Sequence, residues 1–196
     1  MARKAVMKML RQKSYRTRRL DLREFNLSDW KSWSEAQEKS RPKIDEWDKS
    51  PVPTRRRIQS LFKRQLLAQR ARFKKSGTFL WSMFLRDTGE FVGWIDISTI
   101  CREPYFMANL GWFVINSYRG QGYAKEATMK LISAAFSDLG FHRLEASINP
   151  RNKPSIRMAR SCGLHYEGVK KFYLREDGEW RDHVAYITTP EIFYER

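Results

Sequence analysis

The residues of this chain that most directly suggest chemistry form a short loop, residues 119–124, between an apolar run and a run of helical periodicity. Because Gly120 and Gly122 carry no Cβ, main-chain N–H groups of the loop can converge on one point. The first N–H groups of a helix are unpaired and its dipole is positive there, so this point attracts anions. Arg119 adds a forked cation suited to phosphate oxygens. The loop is predicted to bind an anion, and the alternative is an ordinary strand-to-helix turn.

The spacing within the loop separates it from two common phosphate motifs. It is neither the G-x-G-x-x-G of dinucleotide-binding folds nor the G-x-x-x-x-G-K-[ST] of nucleotide triphosphatases. The pattern that remains, Arg-x-x-Gly-x-Ala from Arg119 to Ala124, resembles the Q/R-x-x-G-x-G/A acetyl-CoA signature of the GNAT superfamily of N-acetyltransferases. In that family the loop amides hold the coenzyme A pyrophosphate.

Other segments extend the resemblance over residues 16–190. The segments 149–155 and 162–168 resemble the second half of the family's site, and the tail, 178–190, is closest to the ribosomal-protein-alanine N-acetyltransferases of the RimJ and RimL type. The resemblance implies one α/β (α+β) domain with a mixed, mostly antiparallel central sheet flanked by helices. We expect this domain to span residues 16–196, after a basic N-terminal segment of residues 1–15.

The resemblance also implies which residues bind the co-substrate, acetyl-CoA. A strand section pairs with the pantetheine arm, the loop holds the pyrophosphate, and one polar residue contacts the coenzyme from the start of the next helix. These residues are Phe113, Val114, Ile115, Arg119, Gly120, Gln121, Gly122, Tyr123, Ala124 and Asn152.

Two polar residues are the catalytic candidates that follow from the resemblance. Ser155 is expected to protonate the departing thiolate, and the alternative is a serine that caps the helix start. Asn149 is expected to lie beside it in the catalytic site. For Asn149 and Asn152 alike, the alternative is a turn residue next to a proline.

A carboxylate base is missing from the place where family members carry one. That place is the strand before the loop, but residues 107–113 contain no Asp or Glu, so water, Asp96 or Asp182 would have to serve. Asp182 has an alternative role in fixing the last hairpin. A lysine amine has a pKa of about 10.4 and an α-amine one of about 7.7–8.0, so the neutral α-amine is easier to reach by about 3.5 kcal/mol. We therefore expect the acceptor to be the α-amine of a protein N-terminus, in particular of a ribosomal protein.

The charge of the chain predicts a polyanionic partner. Its 38 basic and 22 acidic residues give a net charge of +16, and residues 1–19 and 49–86 contain no acid at all. Ribosomal RNA or a ribosomal particle is the expected partner, and a merely solvated basic face is the alternative. Two other functions stay open: a ribosome-associated assembly or regulatory factor with secondary or lost activity, and an acetyltransferase for small amines.

Several classes of protein find no support in the sequence. Cys101 and Cys162 are the only cysteines, and we expect both to be reduced. The three histidines lack ligand spacing, so no metal is expected. No apolar run reaches 18 residues, which favours a cytoplasmic protein without a membrane partner.

Periodicity and turn residues predict the elements that position these side chains. A first strand is expected over Thr17–Phe25, then a helix capped by Ser28 and ended by Pro42, and a second helix over Thr54–Lys75. The remaining predicted strands are Phe79–Leu85, Glu90–Ser98, Tyr105–Ile115, His142–Ile148, Val169–Leu174 and His183–Thr188. The remaining predicted helices run from Gly122 or Tyr123 to Ser137, before Gly140, and from Ser155 to Ser161.

Overall fold

The computed structural model describes residues 14–40, 43–48, 58–76 and 78–195. Most of the predicted N-terminal segment, Pro42 and the first four residues of the predicted second helix lie outside these ranges. The strands are β1 (Tyr15–Arg16), β2 (Leu20–Arg23), β3 (Phe79–Leu85), β4 (Phe91–Cys101), β5 (Met107–Val114), β6 (Arg143–Ile148), β7 (His165–Glu176) and β8 (Glu179–Thr188). The helices are α1 (Trp30–Lys39), α2 (Ile58–Ser76), α3 (Tyr123–Ser137), α4 (Lys153–Ser161) and α5 (Pro190–Tyr194), with short 3-10 turns at Leu27–Asp29 and Asn116–Tyr118.

All eight strands form one sheet in the order β1-β2-β3-β4-β5-β6-β8-β7. Neighbouring strands are antiparallel except β5 and β6, which run parallel. α1 packs on α2, and α3 contacts β2, β4 and β5. Among the described helices, none combines the length and the apolar composition that crossing a bilayer requires. The predicted fold, one α/β domain with a mixed, mostly antiparallel sheet flanked by helices, is confirmed.

The strands β5 and β6 separate at their carboxyl ends and open the centre of the sheet. Their register has three pairs, the last of which joins Asn109 to Glu145. Beyond this pair, residues 110–114 of β5 continue along β4, while β6 continues along β8 to Ile148. Within the described strands, β5 therefore has a free backbone edge in the middle of the sheet.

A buried ion pair lies at the point where the two strands separate. Glu145 is 2% exposed and accepts hydrogen bonds from Ser147 Oγ, at 2.6 Å, and from Lys170 Nζ. Burial raises the pKa of Glu145, but the hydrogen bonds from Lys170 and Ser147 outweigh burial, so the pKa is lowered. The pair connects β6 to β7 across the intervening strand β8.

Aromatic packing fixes α1 and α2 against the sheet. Phe25 lies at the centre of a cluster, with ring centroids 4.8 Å from Phe91 and 5.3 Å from Phe62 of α2. Trp33 of α1 joins the cluster at 5.5 Å from Phe62. Each buried aromatic side chain stabilises the fold by about 2–3 kcal/mol, so this cluster positions the two helices firmly.

The first predicted strand is shorter than expected because a turn interrupts it. The Thr17 N–H donates to the Leu20 carbonyl at 2.9 Å, and the Leu20 N–H donates to Thr17 Oγ1 at the same distance. These two bonds close a turn between β1 and β2, so the strand begins at Leu20.

The capping residue predicted at Ser28 is wrong, because the side-chain cap lies two residues earlier and belongs to a 3-10 turn that precedes α1. Asn26 is the capping residue: its side chain accepts from the Ser28 N–H at 2.9 Å, and Asp29 in return accepts from the Asn26 N–H at 2.7 Å. This reciprocal capping box opens a 3-10 turn, and α1 follows from Trp30.

The other elements lie close to their predicted bounds. The end of α3 is closed as predicted: Gly140 has φ +66°, and the Phe141 N–H donates to the Ala135 carbonyl at 3.0 Å. β7 and β8 are longer than predicted, and β1 and α5 were not predicted.

Candidate active site

The loop of residues 119–124, which we call the glycine loop, has the open backbone that an anion-binding turn requires. Gly120 and Gly122 have φ angles of +76° and +81°, which only glycine adopts without strain. A Cβ built on Gly120 would meet no heavy atom within 4 Å, so the space beside it is open. Gly122 immediately precedes α3 and offers no side chain to cap the N–H groups of Tyr123 and Ala124.

Arg19 and Glu126 hold this loop in place through side-chain contacts, and the sequence did not indicate a role for either residue. Arg19 Nη1 donates to the Gln121 carbonyl at 2.9 Å, and its Nε donates to Glu126 Oε2 at 2.6 Å. Its guanidinium also lies 4.6 Å from the ring centroid of Tyr123. A separation of 107 positions leaves no local pattern that would reveal the pair.

Glu126 is held in its charged form in the first turn of α3. Burial raises the pKa of Glu126, but hydrogen bonds from the Thr17 hydroxyl and from the main chain and side chain of Arg19 lower it by more. A carboxylate at this end of a helix also interacts favourably with the helix dipole. The start of α3 is therefore anchored before any ligand arrives.

Arg119 is bound to two carboxylates of the segment between α1 and α2. Its Nη1 donates to Asp45 Oδ2 at 2.8 Å, its Nη2 donates to Asp48 Oδ1, and its Nε donates to the Val114 carbonyl at 3.3 Å. The guanidinium thus joins the end of β5 to residues 43–48. The contact of Arg119 with phosphate stays a prediction. A phosphate would have to bind Arg119 together with these carboxylates or displace them.

Residues 43–48, which we call the acidic loop, also reach the second predicted coenzyme segment. Asp48 is 6% exposed and accepts from the Ile44 N–H at 2.7 Å and from Asn116 Nδ2 at 3.4 Å. Arg151 donates to both carboxylate oxygens of Glu46, at 2.9 and 2.7 Å. The acidic loop therefore contacts the β5–α3 connection and the β6–α4 connection together.

The three polar residues predicted after β6 have defined partners in the backbone and in the last hairpin. Asn149 Nδ2 donates to Glu176 Oε2 at 2.7 Å, and its Oδ1 accepts from the Arg151 N–H at 3.0 Å. Asn152 is the N-cap of α4, because its Oδ1 accepts from the Ser155 N–H at 3.1 Å. Asn152, not Ser155, therefore caps this helix, and the predicted catalytic roles stay predictions.

His183 completes the group around Glu176. Its side chain is 2% exposed, with Nε2 3.2 Å from Glu176 Oε1 and Nδ1 3.2 Å from the Arg181 carbonyl. These contacts fix the end of the β7–β8 hairpin beside Asn149. In the described part of the chain, no three His, Cys, Asp or Glu side chains are grouped to hold a metal.

The predicted pantetheine section, residues 113–115, lies at the carboxyl end of β5, beyond the last pair that β5 forms with β6. Phe113 is stacked on Trp94 with ring centroids 5.9 Å apart, and the Ile115 N–H donates to the Val92 carbonyl at 3.0 Å. β4 thus holds this section from one side, while no β6 residue pairs with it in the described register. Such an edge can accept an extended ligand as an added strand.

A cleft of about 510 Å³ lies between the two helices α1 and α2 and the strands β3, β4 and β5. Its polar side chains include two carboxylates, Asp48 and Asp96, among aromatic neighbours. The residues that line it are Phe25, Trp33, Gln37, Ser40, Asp48, Gln65, Ala68, Gln69, Thr78, Leu80, Phe91, Trp94, Asp96 and Phe113. Because Phe113 also belongs to the predicted pantetheine section, the cleft adjoins the predicted coenzyme site.

Asp182 lies in the last hairpin, where its carboxylate accepts from Lys171 Nζ at 2.7 Å and from the Phe172 N–H at 2.9 Å. The hydrogen bond from Lys171, followed by that from the Phe172 main chain, lowers the pKa of Asp182. These bonds place Asp182 in the hairpin-fixing role that the sequence offered as its alternative.

Comparison with known proteins connects these loops to a family. Residues 19–165 match the acetyltransferase (GNAT) domain. The chain is 32% identical over 119 residues to the ribosomal protein uS5-alanine N-acetyltransferase of Escherichia coli (strain K12), an alignment that covers 60% of this chain and 61% of that enzyme. It is 26% identical over 175 residues to the uncharacterized N-acetyltransferase YnaD of Bacillus subtilis (strain 168), with 89% and 96% covered.

The similarity to an acetyltransferase extends to the three-dimensional structure. Mycobacterium smegmatis RimJ in complex with CoA-disulfide superposes with a TM-score of 0.74 at 26% identity, covering 91% of this chain and 87% of that one. The family match includes the glycine loop, the free edge of β5 and the segment from Asn149 to Ser155. The chain therefore belongs to the GNAT acetyltransferases, and it is an enzyme of acetyl transfer.

Proposed function

We propose that this enzyme moves the acetyl group of acetyl-CoA to the α-amine of a protein N-terminus. The proposed acceptor is a ribosomal protein whose N-terminal residue is alanine. The observation that carries this proposal is the similarity to the uS5-alanine N-acetyltransferase, at 32% identity over 119 residues. The cleft beside β5 supports it, because it offers an acceptor space next to the predicted acetyl site.

In this proposal the predicted coenzyme residues would act as follows. The N–H groups from Gly120 to Ala124 would hold the pyrophosphate, and the main chain of residues 113–115 would pair with the pantetheine arm. Acetyl-CoA supplies a thioester, whose C–S bond breaks as the amine forms its C–N bond. Ser155, in the first turn of α4, is our candidate for protonating the departing thiolate.

The size and lining of the cleft favour an extended peptide end as acceptor. About 510 Å³ is enough for a few residues, and the walls combine aromatic rings with Gln37, Gln65 and Gln69. Amide side chains of this kind can hydrogen-bond a peptide backbone. The lower pKa of α-amines favours an N-terminus over a lysine here as well.

The acceptor's own charge raises the question of how a basic enzyme meets a basic ribosomal protein. A net charge of +16 would repel such a partner at long range, whereas it would attract ribosomal RNA. α2 presents Lys63, Arg64 and Arg70 to solvent. We infer that the enzyme docks on ribosomal RNA within a particle, with the N-terminus then entering the cleft.

Mass spectrometry of ribosomal-protein N-termini, with and without the gene, tests the acceptor. One alanine-led N-terminus should lose its acetyl group in the deletion strain, and the purified enzyme should restore it on the matching peptide but not on the same peptide already acetylated. An unchanged set of N-termini would contradict the proposal. Co-sedimentation with ribosomal particles should weaken steeply as salt rises, and binding that ignores salt would contradict the RNA contact.

A second candidate, a small cationic amine as acceptor, is favoured by one observation. The cleft carries the carboxylates of Asp48 and Asp96, which suit a cation. Acetylation of spermidine in preference to alanine-led peptides would support this candidate against the first. Titration with acetyl-CoA tests both of these candidates against a factor without activity. Both acetyltransferases must bind acetyl-CoA, so a protein that does not bind it would contradict both.

A further inference from the structure

A carboxylate from β4 occupies the place where a β5 side chain would lie. Asp96 pairs in register with Gly111 of β5. A Cβ built on Gly111 would lie 2.4 Å from Asp96 Oδ2 and 3.0 Å from Asp96 Cγ. The Asp96 carboxylate therefore lies directly over the Gly111 main chain, and only a glycine leaves room for it.

This position matters because β5 has no acid of its own. Residues 107–113 contain no Asp or Glu, although β5 is the strand along which the acetyl donor is proposed to lie. The Asp96 carboxylate reaches over this strand from its neighbour. It also lines the cleft that we propose as the acceptor site, beside Trp94 and Phe113.

The other two candidate carboxylates, Asp48 and Asp182, do not belong to a strand that pairs with β5. Asp48, which is the other titratable side chain in the cleft lining, accepts from Arg119, from the Ile44 N–H and from Asn116. It thus holds the acidic loop. Asp182 accepts from Lys171 and the Phe172 N–H in the last hairpin.

We propose that Asp96 is the catalytic carboxylate that binds the acceptor's amine and takes its proton. The inference rests on the proposed function, in that an amine must enter this cleft. The aromatic surroundings reduce the contact with water, which strengthens the attraction between the carboxylate and an entering ammonium group.

The proton and electron balance of the step is complete with groups already named. The ammonium loses one proton to Asp96, which passes it to water, and the neutral nitrogen then attacks the thioester carbonyl carbon. The C–N bond forms, the C–S bond breaks, and the sulfur leaves with the electron pair. The nitrogen gives up a second proton as the amide forms, and the thiolate takes one to become a thiol.

Asp96→Asn tests the proposal, because it keeps the shape of the side chain and removes its basicity. We expect kcat/KM to fall about a hundredfold at pH 7, as is usual for loss of a general base. The deficit should shrink towards about pH 9.5, because an α-amine with a pKa of about 7.7–8.0 is neutral there without help. Affinity for CoA, measured by calorimetry, should not change.

Gly111→Ala tests the position of the Asp96 carboxylate independently, because it leaves Asp96 itself in the chain. Its methyl group would displace the carboxylate, so this variant should show the same fall in kcat/KM, and the double variant should show no further fall. Asp87→Asn, in the exposed turn between β3 and β4, is the matched change of charge and should behave as the wild type.

The assay uses two acceptors, an alanine-led peptide and spermidine, so that the two proposals can fail separately. A wild type that acetylates only spermidine would contradict the N-terminal acceptor and leave the Asp96 comparison intact. An Asp96→Asn variant with wild-type kcat/KM at pH 7 would overturn the role of Asp96. A deficit of equal size at every pH would overturn its role as proton acceptor, and a wild type without activity on either acceptor would overturn both proposals.

Discussion

Arg119 and Asp45 form a hydrogen-bonded ion pair, with 2.8 Å between Nη1 and Oδ2. Asp48 binds the other terminal nitrogen of the same guanidinium. The cation beside the proposed pyrophosphate site is therefore already engaged with the acidic loop. A bound pyrophosphate and these two carboxylates would compete for one arginine.

Asp45→Asn should strengthen the binding of CoA by a factor of up to about five. The pair is partly exposed, and pairs of this kind contribute about 0.2–1 kcal/mol, which becomes available to the phosphate when the carboxylate is neutralised. Isothermal titration measures the change. Asp138→Asn, at the other end of α3 and about 20 Å away, is the control with the same change of charge. Weaker binding by Asp45→Asn would show instead that the acidic loop orients Arg119 for the phosphate.

Gly120→Ala should weaken CoA binding and cost about 1–2 kcal/mol of stability, the price of a non-glycine residue in a left-handed conformation. Gly178 is the matched control, because it has φ +85° and an equally open surrounding, but lies at the tip of the β7–β8 hairpin. Gly178→Ala should lose similar stability in a urea titration and keep its affinity for CoA. Equal affinities in the two variants would argue against coenzyme contact at the glycine loop.

Ser155→Ala should lower kcat about tenfold to a hundredfold without changing the affinity for CoA, if its hydroxyl protonates the thiolate. The variant should fold normally, because Asn152 rather than Ser155 caps α4. Ser161→Ala removes a hydroxyl from the other end of the same helix, where it donates to the Met158 carbonyl at 2.8 Å, and serves as control. Steady-state kinetics with an alanine-led peptide decides, and an unchanged kcat would remove Ser155 from the mechanism.

Lys170→Met should destabilise the fold by about 3 kcal/mol, because it leaves the buried carboxylate of Glu145 without its ammonium partner. The double variant Glu145→Gln/Lys170→Met should regain most of this loss. Lys171→Met is the neighbouring control: its pair with Asp182 is exposed, so the change should stay within about 1 kcal/mol. Urea unfolding at pH 7 gives all three values, and equal losses for Lys170→Met and Lys171→Met would contradict the buried pair.

Glu145 should also contribute to acid sensitivity. Its pKa in the fold lies below the ordinary value of 4.5, so its stabilising contribution is present above that value and is lost as the pH falls towards the lowered pKa. Glu145→Gln should therefore lose less stability than the wild type between pH 6 and roughly pH 3. Urea titrations across this range test the sign, and a steeper loss in Glu145→Gln would reverse it.

The sequence predicted those parts of the molecule that depend on neighbours in the chain. The strand-like apolar run of β3 and the glycines on either side of α3 are local signals, and the predicted bounds of both elements agree with the structure. The capping residue before α1 was misplaced because Ser28 and Asn26 are both good capping residues, and only the reciprocal bond from Asp29 decides between them.

The partners of the site residues could not be predicted, because they come from distant parts of the chain. Arg119 was read as a phosphate ligand from its place in a motif, but its carboxylate partners lie 71 and 74 positions earlier. From the sequence, Asp96 and Asp182 were both candidates for the base, and nothing in the sequence favoured one over the other. The register of β4 with Gly111 of β5 supplies a basis for this choice, and no spacing in the sequence contains it.

The acidic loop has a practical consequence for anyone who wishes to redirect this enzyme to a new acceptor. The obvious design would exchange the segment that carries α1 and α2, since these helices form one wall of the cleft. That exchange would also remove the carboxylates that bind Arg119 and Arg151. On the proposed function, acceptor choice and coenzyme affinity would therefore change together, and a grafted segment would need acids of its own at these positions.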